Sequence, residues 1–100
     1  MTISPILRSA SYSLKPGQII FFKRIRRHGE TYDLTVNRLV NECSHFLTKV
    51  DDEIHESLQI FTIKISDETK LLLDNIAKEN HISRSETLRR LIQAKAEGLC

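Results

Sequence analysis

IFTIKISDETKLLLDNIAKENHISRSETLRRLIQAKAEGLC, residues 60–100, reads as one short strand, a helix, a tight turn and a second helix. FTIKIS, residues 61–66, alternates strictly. Phe61, Ile63 and Ile65 face one way and Thr62, Lys64 and Ser66 the other, the period of a half-buried strand. A lone strand ahead of two helices cannot pair with itself, so its backbone donors and acceptors need a second strand, from another chain or from elsewhere in this one. The product is a two-stranded ribbon. Such a ribbon fits the major groove of B-form DNA and can hold short polar side chains against base edges.

The segments DETKLLLDNIAK and SRSETLRRLI that follow this strand resemble the ribbon-helix-helix (Arc/MetJ/CopG-like) family of bacterial DNA-binding proteins, over roughly residues 59–97. That family shows an alternating strand, an acidic opening to the first helix, an apolar stripe, a turn, and a Ser-Arg-Ser-Glu-like start to the second helix. Asn80-His81 stands where the family often has Gly at the helix exit, and Asn tolerates the left-handed conformation that a C-cap needs. The resemblance implies a mostly α fold with a short two-stranded antiparallel ribbon, double-stranded DNA as partner, and transcriptional regulation, most often repression. Autoregulating antitoxins and plasmid copy-number regulators belong to the same family.

Working back toward the N-terminus, SYSLKPGQIIFFKRIRRHGETYDLTVNRLVNECSHFL can be laid on the C-terminal unit with Leu14 over Ile65, Pro16 over Asp67 and Ile25 over Ile76. Gly29 then falls at the exit of the first helix, and the second helix aligns if the turn is one residue shorter. Pro16 suits a helix start, Thr31 or Asp33 suits the next cap, and Val36, Leu39, Val40, Cys43 and Leu47 recur at helical spacing. A strand over Ser9 to Leu14 would send Ala10, Tyr12 and Leu14 inward and Ser9, Ser11 and Ser13 outward, although serines are poor strand formers. The expected organisation is a degenerate first unit over residues 1–47, an acidic linker over 48–58, and a ribbon-helix-helix unit over 59–100. The ribbon would then close within one chain, as a tandem pseudo-dimer. The alternative is a helical extension on a homodimer built only from the C-terminal unit. Tandem chains of this size resemble the TraY-like accessory proteins of conjugative relaxosomes, which implies a plasmid transfer origin and a relaxase as alternative partners.

Composition bounds the remaining classes. With 40% hydrophobic and 28% charged residues, the 100-residue chain is ordinary globular material, and its longest apolar run, QIIFF with its leading Gln, is far short of the ~20 residues of a membrane span. The stretch around Pro5 and Arg8 has no signal core, so a cytoplasmic location is expected. Cys43 and Cys100 stand far apart without a CxxC, which reads as reduced thiols with Cys43 a small buried hydrophobe. The net charge of +2 is unevenly spread. Residues 1–50 hold eight Lys or Arg against three Asp or Glu, and residues 51–100 hold seven against ten. The densest basic run is KRIRR, which is either a solvated helix face or a phosphate-facing patch.

On this reading the base-reading candidates are Thr62 and Lys64, with Ile60 at the third outward position and Ser9, Ser11 and Ser13 from the first strand. Thr62 can exchange hydrogen bonds with a base edge, and Lys64 can reach guanine O6 and N7. Ile60 is read as the strand's frayed start, with a thymine-methyl contact as the alternative. Phosphate candidates are Ser83, Arg84 and Ser85 at the start of the last helix, where a capping box leaves free N–H groups and a positive dipole end, together with Lys23, Arg24, Arg26 and Arg27. Asp33 makes the matching helix start of the first unit less friendly to phosphate. Leu71, Leu72, Ile76, Leu88, Leu91 and Ile92 are assigned to the core.

Catalysis is not expected. His28, His45, His55 and His81 are scattered, Cys43 and His45 point apart on a helix, and there is no Gly-rich phosphate loop, nucleophile elbow or zinc spacing. Asp51, Asp52, Glu53 and Glu56 read as a solvated acidic linker rather than metal ligands. No cofactor, metal or small-molecule substrate is implied. An antitoxin-type interaction module is a third reading; the chain stops at Gly98-Leu99-Cys100, which leaves no tail to wrap a toxin, and residues 1–58 are too apolar for a disordered arm. A second copy of the chain, side by side on DNA, is the other expected partner.

Overall fold

Two stretches of alternating residues find each other within the chain. Strand β1 (Leu7–Leu14) pairs antiparallel with β2 (Gln59–Ser66), and the register sets Ser9 opposite Lys64, Ser11 opposite Thr62 and Ser13 opposite Ile60. The computed structural model describes residues 6–100; the first five residues of the expected first unit, Pro5 among them, lie outside the described residues. Strand β1 begins two residues earlier than its serine-rich sequence suggests, because the ladder to β2 overrides the weak propensity of Ser9, Ser11 and Ser13.

Each strand runs into two helices. Helix α1 (Pro16–Ile25) and α2 (Tyr32–Cys43) follow β1; α3 (Asp67–Asn80) and α4 (Arg84–Ala96) follow β2, after a 3₁₀ segment at Ser44–Lys49. The local causes are visible at the ends. Pro16 supplies the first helical position of α1, and the Lys15 N–H donates to Gln18 Oε1 at 3.0 Å. Thr31, Ser66 and Ser83 cap α2, α3 and α4, each hydroxyl accepting from the backbone N–H three residues on. The exits differ. Gly29 takes φ 77° between α1 and α2, whereas α3 ends with His81, not Asn80, in the left-handed region at φ 55°. Asn80 remains helical and donates its side-chain amide to the Ile76 carbonyl, while the N–H groups of His81 and Ile82 close the exit on Ala77 O.

The ribbon's inner face, with Tyr12, Leu14, Phe61, Ile63 and Ile65, covers a core filled by Phe22, Val36, Leu39, Leu73, Leu88, Leu91 and Ile92. Two core assignments are corrected: Leu71 and Leu72 are 58% and 39% exposed, and the buried leucine of α3 is Leu73. Three successive helical residues sweep about 200° of arc, so they cannot all face the core. The Ser66 cap sets the phase of α3, and that phase turns Thr69, Leu73 and Ala77 inward.

The two cysteines are not free thiols. Cys43, at the end of α2, forms a disulfide with Cys100, with Cα atoms 5.4 Å apart. Packing of α4 against α2 returns the chain's end to the end of α2, a proximity that sequence distance conceals. The linker is likewise more than a solvated acidic run. Asp52 is partly buried and accepts from Arg89 Nε and Nη2, at 2.9 Å each, while Arg89 Nη1 donates to the Ser13 carbonyl at 2.8 Å. One arginine of α4 thus ties the linker to the end of β1. Asp51, Glu53 and Glu56 do remain exposed. No helix among the described residues is long and apolar enough to cross a membrane.

Candidate nucleic-acid interface

The ribbon's outer face collects all six side chains that alternation selects as base readers. Ser9, Ser11, Ile60, Thr62 and Lys64 are exposed and Ser13 is partly so. The three cross-strand pairs make a surface of hydroxyls with one ammonium and one alkyl group. At its centre Ser11 Oγ and Thr62 Oγ1 share a hydrogen bond of 2.8 Å. Ile60 is not a frayed start: it sits inside the ladder opposite Ser13, 77% exposed and on the same face as Thr62 and Lys64. Gln59 carries the strand one residue further, which keeps Ile60 in register.

The second helix of each half reaches the opposite half's strand. Ser85, in the first turn of α4, accepts the Ser13 N–H on β1 at 2.9 Å, and Asp33, in the first turn of α2, accepts the Ser66 N–H at the end of β2 at 2.7 Å. Two helix N-termini therefore flank the ribbon, α4 beside β1 and α2 beside β2. Each carries a capping hydroxyl and the positive end of a helix dipole. Asp33 is buried and turned to Ser66, so its carboxylate is engaged inside the protein rather than presented at the surface.

The three phosphate candidates of α4 have distinct surroundings. Ser83 Oγ accepts from the Glu86 N–H, but the Glu86 carboxylate does not reach back to complete a capping box; it accepts from Arg90 Nε at 2.9 Å. The i to i+4 ion pair holds that carboxylate one turn further along the helix. Arg84 is exposed, with its Nε 2.8 Å from Asp74 Oδ1 on α3. The N–H does not point along that line, and Asp74 Oδ1 is left buried without a hydrogen bond. Close by, burial raises the Tyr12 phenol above its ordinary pKa; the Asp74 charge adds to the rise and the Arg84 charge opposes it.

The KRIRR run divides. Lys23 Nζ lies 5.7 Å from the centre of the Phe61 ring, and the Arg26 guanidinium lies 5.0 Å from the centre of Tyr32, the first residue of α2. Lys23 thus lies beside β2 and Arg26 beside the first residue of α2. Arg24 and Arg27 are exposed, and the Arg27 backbone N–H donates to Glu30. Alternation and capping signals found the ribbon and the helix starts. Placing Lys23 beside β2 and Arg26 beside α2 needed the tertiary fold, because the aromatic cluster of Phe22, Tyr32 and Phe61, with the Arg38 bond to the Ile25 carbonyl, fixes the end of α1 there.

The family model described as "Ribbon-helix-helix protein, copG family" matches residues 59–97. The chain is also similar to "Uncharacterized protein 29" of the Sulfolobus islandicus filamentous virus (isolate Iceland/Hveragerdi), at 42% identity over 94 residues that cover 94% of this chain and 98% of that protein. No solved structure matches the chain.

Proposed function

This chain belongs to the copG family of ribbon-helix-helix proteins, a family of DNA-binding regulators, and from that premise we propose that it binds double-stranded DNA sequence-specifically and represses transcription of an operon on a viral or other mobile genome. The observation that carries the reading is the outer face of the ribbon: six predicted readers lie on one two-stranded surface, flanked on both sides by capped helix N-termini. The ribbon enters the major groove, Thr62, Lys64, Ser9, Ser11, Ser13 and Ile60 meet base edges, and Ser83, Arg84, Ser85, Lys23 and Arg26 hold phosphates on either side. Arg24 and Arg27 extend the same basic surface and add long-range attraction.

The halves over residues 1–47 and 59–100 are read as two repeats of one unit, so that one chain supplies the ribbon that two copies would otherwise build. The strand pairing supports this directly, and the linker has the reach for it. The viral relative moves the reading away from plasmid transfer: no observation points to a relaxase, and none favours an antitoxin role. A location inside the cell follows from the DNA partner rather than from the cysteines, whose disulfide removes the argument from a reducing compartment.

Fluorescence anisotropy on the DNA flanking the chain's own coding region tests the proposal, with wild type and Thr62→Ala/Lys64→Ala compared at two salt concentrations. Tight binding to one segment, lost in the double variant, is expected. Weak, wholly salt-driven binding unaffected by the substitutions overturns ribbon readout. Arg84→Ala is expected to lower the salt slope by about one unit with sequence preference unchanged. Sedimentation should show a free protein of 11.6 kDa and a complex whose mass exceeds that of the duplex by one chain; a requirement for two chains overturns the tandem reading.

A further inference from the structure

The ribbon's backbone has a two-fold axis that its side chains do not share. Laying Leu14 over Ile65 also lays Ser11 over Thr62, Ser9 over Ile60 and Ser13 over Lys64. Ser11 and Thr62 are also each other's partners in the ladder, so the axis passes between them, at the shared hydroxyl bond. Rotation about it brings Lys64 onto Ser13 and Ile60 onto Ser9. One end of the reading face therefore holds an ammonium beside a hydroxyl, and the other an alkyl group beside a hydroxyl.

Those ends ask for different bases. The Lys64 ammonium offers only donors, and the base edge richest in acceptors in the major groove is guanine, through O6 and N7. The Ile60 side chain has no hydrogen-bonding capacity. Pressed on a guanine or cytosine edge it would strand polar atoms away from water, whereas the thymine methyl is an apolar partner. Between them Ser11 and Thr62 donate and accept alike and already satisfy each other in part, so the middle of the face discriminates least. The flanks repeat the asymmetry. Arg84 beside β1 is held against Asp74, while Lys23 and Arg26 beside β2 make no ion pair among the described residues.

We infer that this chain reads one continuous, non-palindromic DNA segment in a single orientation, with a guanine under Lys64 and a thymine under Ile60 about four base pairs away. The spacing comes from four residues of strand at roughly 3.4 Å each, against roughly 3.4 Å per base pair. A reader made of two identical chains presents the same chemistry at both ends and selects a palindrome. Turned end for end on its site, this chain would set Ser13 over the guanine and Ser9 over the thymine, with Lys64 and Ile60 moved to the opposite ends on the facing strand, and its affinity should fall on the order of tenfold or more. The inference rests on the proposed ribbon readout.

Selection from a library of random-sequence duplexes tests it, with the wild-type chain and three variants whose folding is checked by thermal melting. Wild type should enrich a non-palindromic consensus. Lys64→Ala should lose preference at the guanine alone, and Ile60→Ser at the thymine alone. Ser13→Lys/Ile60→Ser, which makes the two ends chemically alike, should enrich a palindrome. A palindromic wild-type consensus, or one that Lys64→Ala and Ile60→Ser both leave unchanged, overturns the inference while ribbon readout stands. Enrichment of nothing overturns ribbon readout itself.

Discussion

The first half of the molecule and the second place helices in the same order behind their strands, yet almost every polar contact that fastens them differs. In the first half, Glu30 and Arg38 clamp the turn between α1 and α2: Arg38 Nη2 donates to Glu30 Oε1 and to the Ile25 carbonyl, at 2.7 Å each. The aligned arginine of the second half, Arg90, donates instead to Glu86 and to the carbonyls of Leu47 and Val50, so it fastens α4 to the 3₁₀ segment and the start of the linker. Asn37 reaches Thr69 across the interface between halves, whereas its counterpart Arg89 receives Gln18 on its carbonyl and commits its guanidinium to Asp52 and Ser13. The difference teaches which features the architecture needs. Apolar spacing and a capping hydroxyl recur in both halves; the ion pairs do not. The backbone arrangement tolerates exchange of its polar fastenings as long as each buried group finds a partner.

The largest expected effect separates Arg89 from Asn37. Asp52→Ala should cost about 3 to 5 kcal/mol in urea unfolding, because it leaves a buried guanidinium without its carboxylate. Asn37→Ala, at the aligned interface position, should cost only about 0.5 to 1.5 kcal/mol, the ordinary worth of a hydrogen bond. Equal losses would mean the two halves are fastened alike. Next comes the disulfide, which closes a 57-residue separation between the halves; Cys100→Ser should lower stability by about 2 to 4 kcal/mol, read as a drop in Tm that reductant reproduces in wild type.

Acid should act first on the first half. Arg38, together with the Arg27 N–H and the Thr35 hydroxyl, holds the Glu30 carboxyl at about 2 against an ordinary 4.5. The unfolded chain takes up that proton before the folded one, so the stabilisation is whole above pH 4.5 and drains away as pH falls toward 2. Glu30→Gln should flatten that part of the acid-unfolding curve; an unchanged curve would remove Glu30 as its source. The Lys95 contact lowers the Glu42 carboxyl in the same direction. The smallest effect concerns DNA: Asp74→Asn frees Arg84 from its counter-charge and should tighten binding a few-fold at low salt, on the order of the worth of one exposed charge pair. Weaker binding would show that Asp74 positions Arg84 rather than restraining it.

The parts of this molecule legible in its sequence are those written in local periodicity. Strict alternation in FTIKIS, hydroxyl caps at Thr31 and Ser83, and Pro16 at a helix start each act within a few residues, so they survive without knowledge of the fold, whereas Ser66, placed by that alternation on the outer face, is buried as the cap of α3. The same holds for the outward set Ser9, Ser11 and Ser13, whose parity follows once a strand is assumed. What misled was degeneracy: the LLL run of α3 permits three phases, and the cap with its packing chose the one that buries Leu73. Asn80 and His81 were similarly interchangeable at a helix exit until the turn geometry selected His81.

By itself, then, the sequence determined where strands and helices begin, which face of each is apolar, and that the strand must find a partner, because these depend on sterics and hydrogen bonding between near neighbours. Only the tertiary structure decided that β1 and β2 meet with Ser11 on Thr62, that Cys43 meets Cys100, that Asp52 pairs with Arg89, and that Lys23 lies over Phe61 and Arg26 over Tyr32. Most of those are contacts between residues far apart in the chain, and they form when the apolar helix faces are buried together under one ribbon.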